Sequence, residues 1–264
     1  MILLGLQKGP QLSASLASRV ATIVMVAALY AVGKALTAYI PSPWGIGQFL
    51  VGLFIPAFFA VVSDTLPVAV GAGLGTFVGD VFFLTPLKET TPILSLVAGV
   101  PANFIAFLLF GWFVKKYRSW PAFVAATVCF VTLGNLIAAI DVVEFLALPQ
   151  GLILGFTLFW NIGAIPAVII GVPLLLRATK PLMGRSSILR YESSWSGNIS
   201  SRKMATALAF AALFVAFGVA LFFGAPGTLS SWPGLGAYFA VAAVVVVVLG
   251  PVAGHLARTK RSGY

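Results

Sequence analysis

Five polar side chains interrupt the long apolar runs of this sequence, and packing alone explains them poorly. They are Lys34, Asp80, Asn103, Asn135 and Asn161. A lysine and a carboxylate form an ion pair, and amide groups both donate and accept hydrogen bonds, so the set suits recognition of a small polar molecule. The same side chains also suit a structural role. Asparagines bond neighbouring helices, Lys34 can reach toward the surface, and a Lys34–Asp80 pair would satisfy both charges.

Catalysis is poorly supported by these residues. Gly79-Asp80 is similar to the end of the Gly-x-Gly-Asp pattern of intramembrane aspartyl hydrolases, but Phe77 stands where that pattern needs glycine. No second intramembrane aspartate is available to share a proton. The sequence has neither a His-Glu-x-x-His motif nor a Gly-x-Ser-x-Gly motif, and its single cysteine, Cys129, rules out an internal disulfide or a thiolate metal cluster. We therefore expect a protein that is not an enzyme and that holds no metal or cofactor.

The elements that must position these residues are long apolar runs. The chain is 60% hydrophobic and 8% charged, with a mean hydropathy of +1.07, which is too apolar for a single soluble core. About twenty apolar residues in a helix span the roughly 30 Å hydrocarbon layer of a bilayer. The runs predict an all-α integral membrane protein with about eight crossings, of which the second is short enough to cross obliquely or pair tightly with its neighbour. They cover approximately residues 16–40, 49–63, 67–84, 92–114, 120–140, 151–176, 204–223 and 236–256.

Basic residues mark one side of the predicted bundle. Except for Lys34 and Lys88, every lysine and arginine lies at a chain end or in every second connection between runs. Cytoplasmic loops carry an excess of lysine and arginine, so both termini are predicted to be cytoplasmic in a multi-pass protein of the cell membrane. Anionic lipid and membrane orientation explain the net charge of +10, and we expect no nucleic-acid partner. The residues on this side are Lys8, Arg19, Lys115, Lys116, Arg118, Arg177, Lys180, Arg185, Arg190, Arg202, Lys203, Arg258, Lys260 and Arg261.

On this topology the five intramembrane polar residues lie in the same half of the membrane. At about 1.5 Å per helical residue, all of them fall between the midplane and the surface opposite the basic side. Several helices that place polar groups at similar depth predict a ligand cavity open to that side. The uncharged, Pro/Gly-rich connection from Pro41 to Gln48 is expected to close over it. Trp44, Gln48 and Trp160 join the predicted substrate-binding set, although both tryptophans equally suit the membrane interface.

Small residues recur at four-residue spacing on two of the runs. This spacing lets helix backbones approach closely where lipid offers no hydrophobic gain. We expect the glycines to pack within the chain, whereas the alanines suit either such packing or contact with another protein. The residues are Gly71, Gly75 and Gly79 on the third run and Ala27, Ala31 and Ala35 on the first.

Three parts are predicted along the chain. Residues 1–185 form a six-helix binding core, and residues 186–203 form a basic, serine-rich cytoplasmic linker. Residues 204–264 form a C-terminal two-helix transmembrane hairpin with a basic tail. The single histidine, His255, lies at the end of this hairpin and is expected to be an ordinary interfacial residue.

The predicted core resembles a known class of membrane receptor. The resemblance covers residues 10–185 and is to the substrate-binding S components of energy-coupling factor (ECF) vitamin transporters. The hairpin after residue 203 departs from that pattern. The residues that carry the resemblance are the run Ala27-Ala28-Leu29-Tyr30-Ala31-Val32, the Trp-Gly turn after it, the glycine-rich run ending at Gly79-Asp80, and the stretch from Asn103 to Lys116.

The resemblance implies an S-component-like bundle of six helices, with both ends in the cytoplasm and a substrate pocket toward the outer face. It also implies a coupling (T) subunit that contacts an alanine-x-x-x-alanine pattern on the first helix, which Ala27, Ala31 and Ala35 match, and separate ATPase subunits that energise uptake. The chain has no Gly-x-x-x-x-Gly-Lys-Ser/Thr phosphate loop, which agrees with ATP hydrolysis on another polypeptide. The expected function is binding of a small micronutrient, a vitamin or a precursor, for prokaryotic uptake.

Other functions stay open from the sequence. The chain also suits a non-catalytic membrane scaffold, whose polar residues hold helices together while the basic linker recruits a cytoplasmic partner. A secondary transporter is a third option, although no inverted repeat is visible between the halves. The substrate is open as well, because Asp80, Asp141 and Glu144 suit a cationic ligand whereas Lys34 suits a carboxylate.

Overall fold

A computed structural model describes residues 15–183, 185–189 and 199–224, with only the backbone described for 221–224. These residues form helices and connections, with no β-strand among them beyond one isolated bridge between Pro41 and Gln48. The predicted all-α class is confirmed for this part of the chain, and apart from α2 each helix is long and apolar enough to cross a membrane. The helices are α1 Leu16–Ala35, α2 Phe54–Val62, α3 Thr65–Leu84, α4 Pro92–Tyr117, α5 Trp120–Phe145, α6 Leu152–Thr179 with a final turn Lys180–Leu182, and α7 Ser201–Gly224.

Hydroxyl side chains define the starts of three helices. The Oγ of Ser15 accepts a hydrogen bond from the Ser18 N–H at the start of α1. Thr91 does the same before α4 and Ser119 before α5, and in both helices a proline occupies the first turn. A capping hydroxyl satisfies an N–H group that the helix itself leaves without a partner, and proline has no such group to lose. Local sequence therefore sets these boundaries.

The second crossing differs from the prediction of a helix over 49–63. The helix Phe54–Val62 has nine residues and is about 14 Å long, half of the roughly 30 Å hydrocarbon layer. Residues 49–53 before it are not helical. They lie between α1 and α6, where a Cβ on Gly52 would stand 2.8 Å from the carbonyl carbon of Gly33 and a Cβ on Gly163 would stand 3.0 Å from the Leu50 carbonyl oxygen. Non-helical backbone is tolerated at membrane depth where surrounding protein covers it.

The helices pack around α2. It contacts α1, α3, α4 and α6, and every residue from Pro56 to Val62 is buried. Around it, α1 packs on α3, α3 on α4, α4 on α5, and α5 on α6. Helices α1 and α3 pack closely, since a Cβ on Gly75 would lie 2.8 Å from the Ala27 carbonyl oxygen. The predicted close-packing faces of the first and third runs therefore meet each other inside the chain.

Hydrogen bonds join several helix ends at one end of the bundle. Near the start of α1, Ser18 donates from Oγ to the Ser187 carbonyl at 2.8 Å, and Ser63 after α2 donates to the Ile188 carbonyl at 2.8 Å. Lys115 near the end of α4 donates to the Ser63 carbonyl. The start of α1, the end of α2, the end of α4 and the segment after α6 thus lie together. The described basic residues at or next to these ends are Arg19, Lys115, Lys116, Arg118, Arg177, Lys180 and Arg185.

Helix α7 starts near the same end and packs on the outside of the bundle. Arg177 near the end of α6 donates from Nη2 to the Ile199 carbonyl at 2.6 Å, two residues before α7. Ala207, Ala211 and Phe214 of α7 are buried, and the helix packs on α6. The predicted eighth crossing at 236–256, the N-terminal segment before Ser15 and residues 190–198 of the linker lie outside the described residues.

Candidate functional site

A buried ion pair lies at the end of the bundle opposite the basic residues. Lys34 Nζ on α1 is 2.5 Å from Asp80 Oδ1 on α3, and each residue is only 5% exposed. The other carboxylate oxygen, Oδ2, accepts a hydrogen bond from Ser95 Oγ on α4 at 2.5 Å. The Lys34–Asp80 pair, which the sequence offered as a structural role for these two residues, is present. Because the two charges neutralise each other and all three helices contribute, the pair also fixes α1, α3 and α4 relative to one another.

Asp80 and Ser95, which bond to each other, each stand at the start of a π-helical turn. Asp80 is the first residue of the π-helical stretch Asp80–Leu84 in α3, and Ser95 is the first residue of Ser95–Gly99 in α4. Such turns are rare and occur often at functional sites, because they shift the side chains that follow around the helix axis. Gly79 is needed here, since a Cβ at that position would lie 2.8 Å from the Cδ atom of Lys34.

The three predicted asparagines bond to neighbouring helices. Asn135 Nδ2 on α5 donates to Asn161 Oδ1 on α6 at 2.8 Å, and Asn161 Nδ2 donates back to Thr132 Oγ1 at 3.1 Å. Asn103 on α4 accepts from the Tyr30 hydroxyl at 3.2 Å. Asn161 is fully buried, whereas Asn103 is half-buried. The asparagines therefore hold helices together as well as adding polarity to this end of the bundle.

Replacing Asn161 by leucine should destabilise the bundle. The variant removes the acceptor of Asn135 Nδ2 and the donor to Thr132 Oγ1 without removing much volume. We expect the free energy of unfolding in detergent to fall by about 1–2 kcal/mol, since interhelical hydrogen bonds in membranes are individually modest. The amide-to-leucine substitution at exposed Gln150 is the control and should cost less. An Asn161→Leu variant as stable as the parent protein would contradict this interpretation.

The connection of residues 41–48, which we name the cover loop, folds back onto this end of the bundle. Ser42 Oγ donates to the Ile46 carbonyl at 2.7 Å, and the Ser42 N–H donates to the Gly47 carbonyl at 2.9 Å. Gly45 and Gly47 have φ values of +73° and +68°, a left-handed conformation that strongly favours glycine. Their sequence positions thus explain why the loop turns so tightly.

Gln48 anchors the end of the cover loop inside the bundle. Its side chain is 1% exposed, and Nε2 donates to the Lys34 carbonyl at 2.7 Å. In a continued helix the Ala38 N–H would bond to that carbonyl, but it bonds to the Ala35 carbonyl instead. The first helix therefore ends at Ala35 rather than continuing to residue 40 as the apolar run predicted.

Aromatic rings attach the cover loop to α6. The Trp44 ring lies 4.9 Å from Phe156 in an edge-to-face arrangement, and Phe156 stacks at 5.3 Å on Trp160. Gly155 makes room for Trp44, because a Cβ there would be 2.7 Å from the indole ring. Trp44 is half-buried and Trp160 is buried, so Trp160 belongs to the interior of the bundle.

The polar residues surround a cavity of about 80 Å³ beneath the cover loop. Ile46 and Gly47 of the loop form part of its wall, as do Tyr30 and Ser95, two polar residues outside the predicted set. Asn161 and Trp44 do not line it; Asn161 bonds to the wall residue Asn135, and Trp44 packs on Phe156, which stacks on the wall residue Trp160. Six of the eight predicted substrate-binding residues line the cavity: Lys34, Gln48, Asp80, Asn103, Asn135 and Trp160.

Two residues of the cavity wall carry buried polar atoms without a hydrogen-bond partner among the described residues. One is the acceptor Gln48 Oε1, and the other is the donor Trp160 Nε1. Buried polar groups are nearly always paired in folded proteins, and leaving one unpaired costs about 1–3 kcal/mol. An unpaired acceptor and an unpaired donor beside one cavity are therefore groups that a bound polar molecule can satisfy.

Glu89 is a further polar residue at this site, and it was not among the predicted site residues. Its side chain is 6% exposed, and Oε2 has no hydrogen-bond partner in the described part of the chain. Its carbonyl accepts from the Gly47 N–H of the cover loop at 2.9 Å. Burial raises the pKa of the Glu89 carboxyl, an effect that the nearby Lys34 ammonium partly offsets. There was little reason in the sequence to assign Glu89 to the site, because an acidic residue in a connection between helices is ordinarily solvated.

A larger cavity, of about 650 Å³, lies elsewhere and is almost entirely apolar. It is bounded by α1, α2, the end of α6 and the segment after it, with Met25, Phe58 and Leu189 in its wall. None of the predicted substrate-binding residues lines it. Its size fits a drug-sized ligand, but the convergent polar groups that give specificity lie around the smaller cavity.

The alanine stripe of α1 faces α3 rather than open surface. Ala31 is buried and its Cα would lie 3.4 Å from a Cβ on Gly79, while Ala27 and Ala35 are half-buried. The exposed apolar face of α1 is formed by other residues, including Val24 and Val32. Contact of the alanine stripe with a coupling subunit stays a prediction.

Comparison of this chain with protein families, with curated proteins and with solved structures found no match.

Proposed function

We propose that this chain is the substrate-binding subunit of a membrane uptake system for a small polar micronutrient, a vitamin or a precursor. The proposal rests mainly on one observation. Residues from α1, α3, α4, α5, α6 and the cover loop converge on one cavity, and two of them have buried polar atoms that lack partners among the described residues. Convergent polar groups from many helices are characteristic of ligand sites inside helical bundles.

The cavity is too small for a vitamin-sized ligand to enter unless its wall moves. About 80 Å³ holds a few water molecules, whereas sites for drug-sized ligands measure roughly 300–1,000 Å³. Binding a vitamin-sized molecule therefore requires the wall to move. The cover loop is the part best suited to move, because it is a connection rather than a helix and contributes Ile46, Gly47 and Gln48 to the wall.

The orientation and the partners of the chain belong to the same proposal. Apart from Lys34 and Lys88, the described basic residues gather at the end opposite the cavity, so the excess of lysine and arginine in cytoplasmic loops supports an outward-facing cavity and cytoplasmic termini in the cell membrane. Coupling and ATPase subunits, as in ECF transporters, would supply the energy. The exposed apolar residues Val24, Val32 and Leu36 of α1, next to the alanine stripe, offer a surface for such a subunit.

Ligand binding tests the proposal. Purified protein in detergent should show a thermal stabilisation with at least one compound of a vitamin panel, and native mass spectrometry should detect the same compound bound. Gln48→Ala and Trp160→Phe should each weaken its affinity roughly tenfold, because each removes one hydrogen-bonding group worth about 1.4 kcal/mol.

Matched variants separate binding from general damage. Gln150 lies at the same end of the bundle but is exposed and bonded to Glu144, and Trp112 is 52% exposed on α4. Gln150→Ala and Trp112→Phe should leave the affinity unchanged. Equal effects of the control and cavity variants would contradict the assignment of the site.

A membrane scaffold is the second candidate function, and one observation favours it. Asn135, Asn161 and Thr132 bond to one another, so the two asparagines already have a structural role without any ligand. A scaffold that recruits a cytoplasmic partner would show no stabilisation with any metabolite and no bound small molecule. Under that outcome the cavity is only a packing defect between well-bonded helices.

A further inference from the structure

We infer that Glu89 recognises the ligand, and that the ligand presents a cationic nitrogen or a cluster of N–H donors to its Oε2 atom. The inference rests on the proposed function and names the substrate class of the same site. It resolves the conflict left by the sequence, in which Lys34 suited a carboxylate and Asp80 suited a cation.

The charged residues of the cavity wall do not by themselves distinguish a cationic ligand from a carboxylate ligand. Lys34 and Asp80 are the charged residues of the wall in the described chain, and at 2.5 Å they neutralise each other. A carboxylate ligand would have to compete with Asp80 for Lys34, and an amine would have to compete with Lys34 for Asp80. Neither charge of the pair is therefore free to select a ligand by its sign.

Glu89 does not itself line the cavity, but it supplies the remaining buried charge next to the cavity wall. Its N–H donates to the Leu84 carbonyl at 3.1 Å, and its carbonyl accepts from Gly47, while Leu84, Gly47 and the adjacent Thr90 all line the cavity. The residue thus lies between two wall segments and joins the cover loop to the connection after α3. Lys88 next to it is exposed and its charge is screened by solvent, so with the ion pair neutral the buried groups of the site carry a net negative charge, which repels a carboxylate and attracts a cation.

The buried oxygen of Glu89 strengthens the assignment. Oε2 is shielded from solvent and unpaired among the described residues, and an ionised carboxylate in that position is costly until it accepts hydrogen bonds. Lys34 is not a direct hydrogen-bond partner of Glu89 Oε2, because the Lys34 ammonium pairs with Asp80. A ligand donor at Oε2 would remove this cost on binding. Charge-assisted hydrogen bonds of this kind are about twice as strong as neutral ones.

The test compares charge classes of ligand on the full chain. Thermal stabilisation is measured with thiamine and pyridoxamine as nitrogen cations, riboflavin as an uncharged compound, and biotin and nicotinate as carboxylates. We expect stabilisation by a member of the first class. Glu89→Gln should reduce its affinity at least tenfold and leave the melting temperature of the protein without added compound unchanged or slightly higher, because the variant removes a buried charge.

Glu144→Gln is the matched control, since Glu144 lies at the same end, is exposed and bonds to Gln150. It should leave affinity unchanged. A carboxylate that binds, with affinity unaffected or improved in Glu89→Gln, would overturn the inference while the proposed function stands. Loss of stability in Glu89→Gln without loss of affinity would show that Glu89 is a second counter-ion of Lys34. No stabilisation by any compound would contradict the proposed function itself.

Discussion

Asp80→Asn should lower the free energy of unfolding by about 3–5 kcal/mol, the loss expected when one partner of a buried ion pair is removed. The variant keeps the side-chain size and an oxygen able to accept from Ser95, but leaves the Lys34 ammonium without its counter-charge at 5% exposure. An uncompensated buried ammonium must lose its proton or draw water into the helix interface. The measurement is unfolding in mild detergent by denaturant titration, monitored by circular dichroism.

Removing both charges separates this effect from a general loss of packing. Lys34→Met combined with Asp80→Asn should recover most of the stability, because the double variant leaves no unpaired charge. Glu144→Gln, at an exposed acidic residue, should change stability by less than about 0.5 kcal/mol. If the double variant is no more stable than Asp80→Asn alone, the ion pair does not determine the stability of this end of the bundle.

Gly75→Ala should destabilise the contact between α1 and α3 by about 1–3 kcal/mol, although it adds a single methyl group. The new Cβ would lie 2.8 Å from the carbonyl oxygen and 3.0 Å from the Cα of Ala27. Both are backbone atoms of a helix, so relief requires the two helices to separate rather than a side chain to rotate. Separation would also lengthen the Lys34–Asp80 contact, since both residues belong to these helices.

The same substitution at Gly151 is the matched control. Gly151 lies just before α6, has an ordinary φ of −58°, and has no atom within 4 Å of the position of a Cβ. Gly151→Ala should be neutral or slightly stabilising, because it reduces the entropy of the unfolded chain. Equal unfolding free energies for the two variants would contradict the assignment of Gly75 to a backbone contact.

Hydrophobicity and charge were enough to predict the architecture of the described part of the chain. Apolar runs of about twenty residues became membrane-length helices, because their length and composition leave few alternatives. The run 49–63 was the exception. Hydropathy measures whether a segment tolerates apolar surroundings, not whether it is helical. Residues 49–53 are apolar but not helical, because α1 and α6 cover their backbone.

Part of the candidate site was predicted from the polar residues that are costly to place in a membrane. The other residues of the site, such as Ser95, were missed for a physical reason. Lys34, Asp80, Asn135 and Asn161 bond to groups on other helices. Asn103 bonds both ways, since its Nδ2 donates to the Gly99 carbonyl of its own helix and its Oδ1 accepts from Tyr30. A hydroxyl can bond within its own helix alone. Thr76, for example, donates to the carbonyl four residues earlier in its own helix, which makes an intramembrane hydroxyl uninformative. Ser95 instead bonds Asp80 on another helix, and each of these two residues begins a π-helical turn.

The second crossing connects the cover loop at one end of the bundle directly to the basic residues at the other end. Gln48, residues 49–53 and α2 form one short covalent path, and its far end is bonded through Ser63 to Ile188 and Lys115. Because α2 packs on α1, α3, α4 and α6, a displacement of the cover loop would pull on a segment that is held at its far end. Under the proposed function, we expect the basic end of the bundle to respond to occupancy of the cavity through this path.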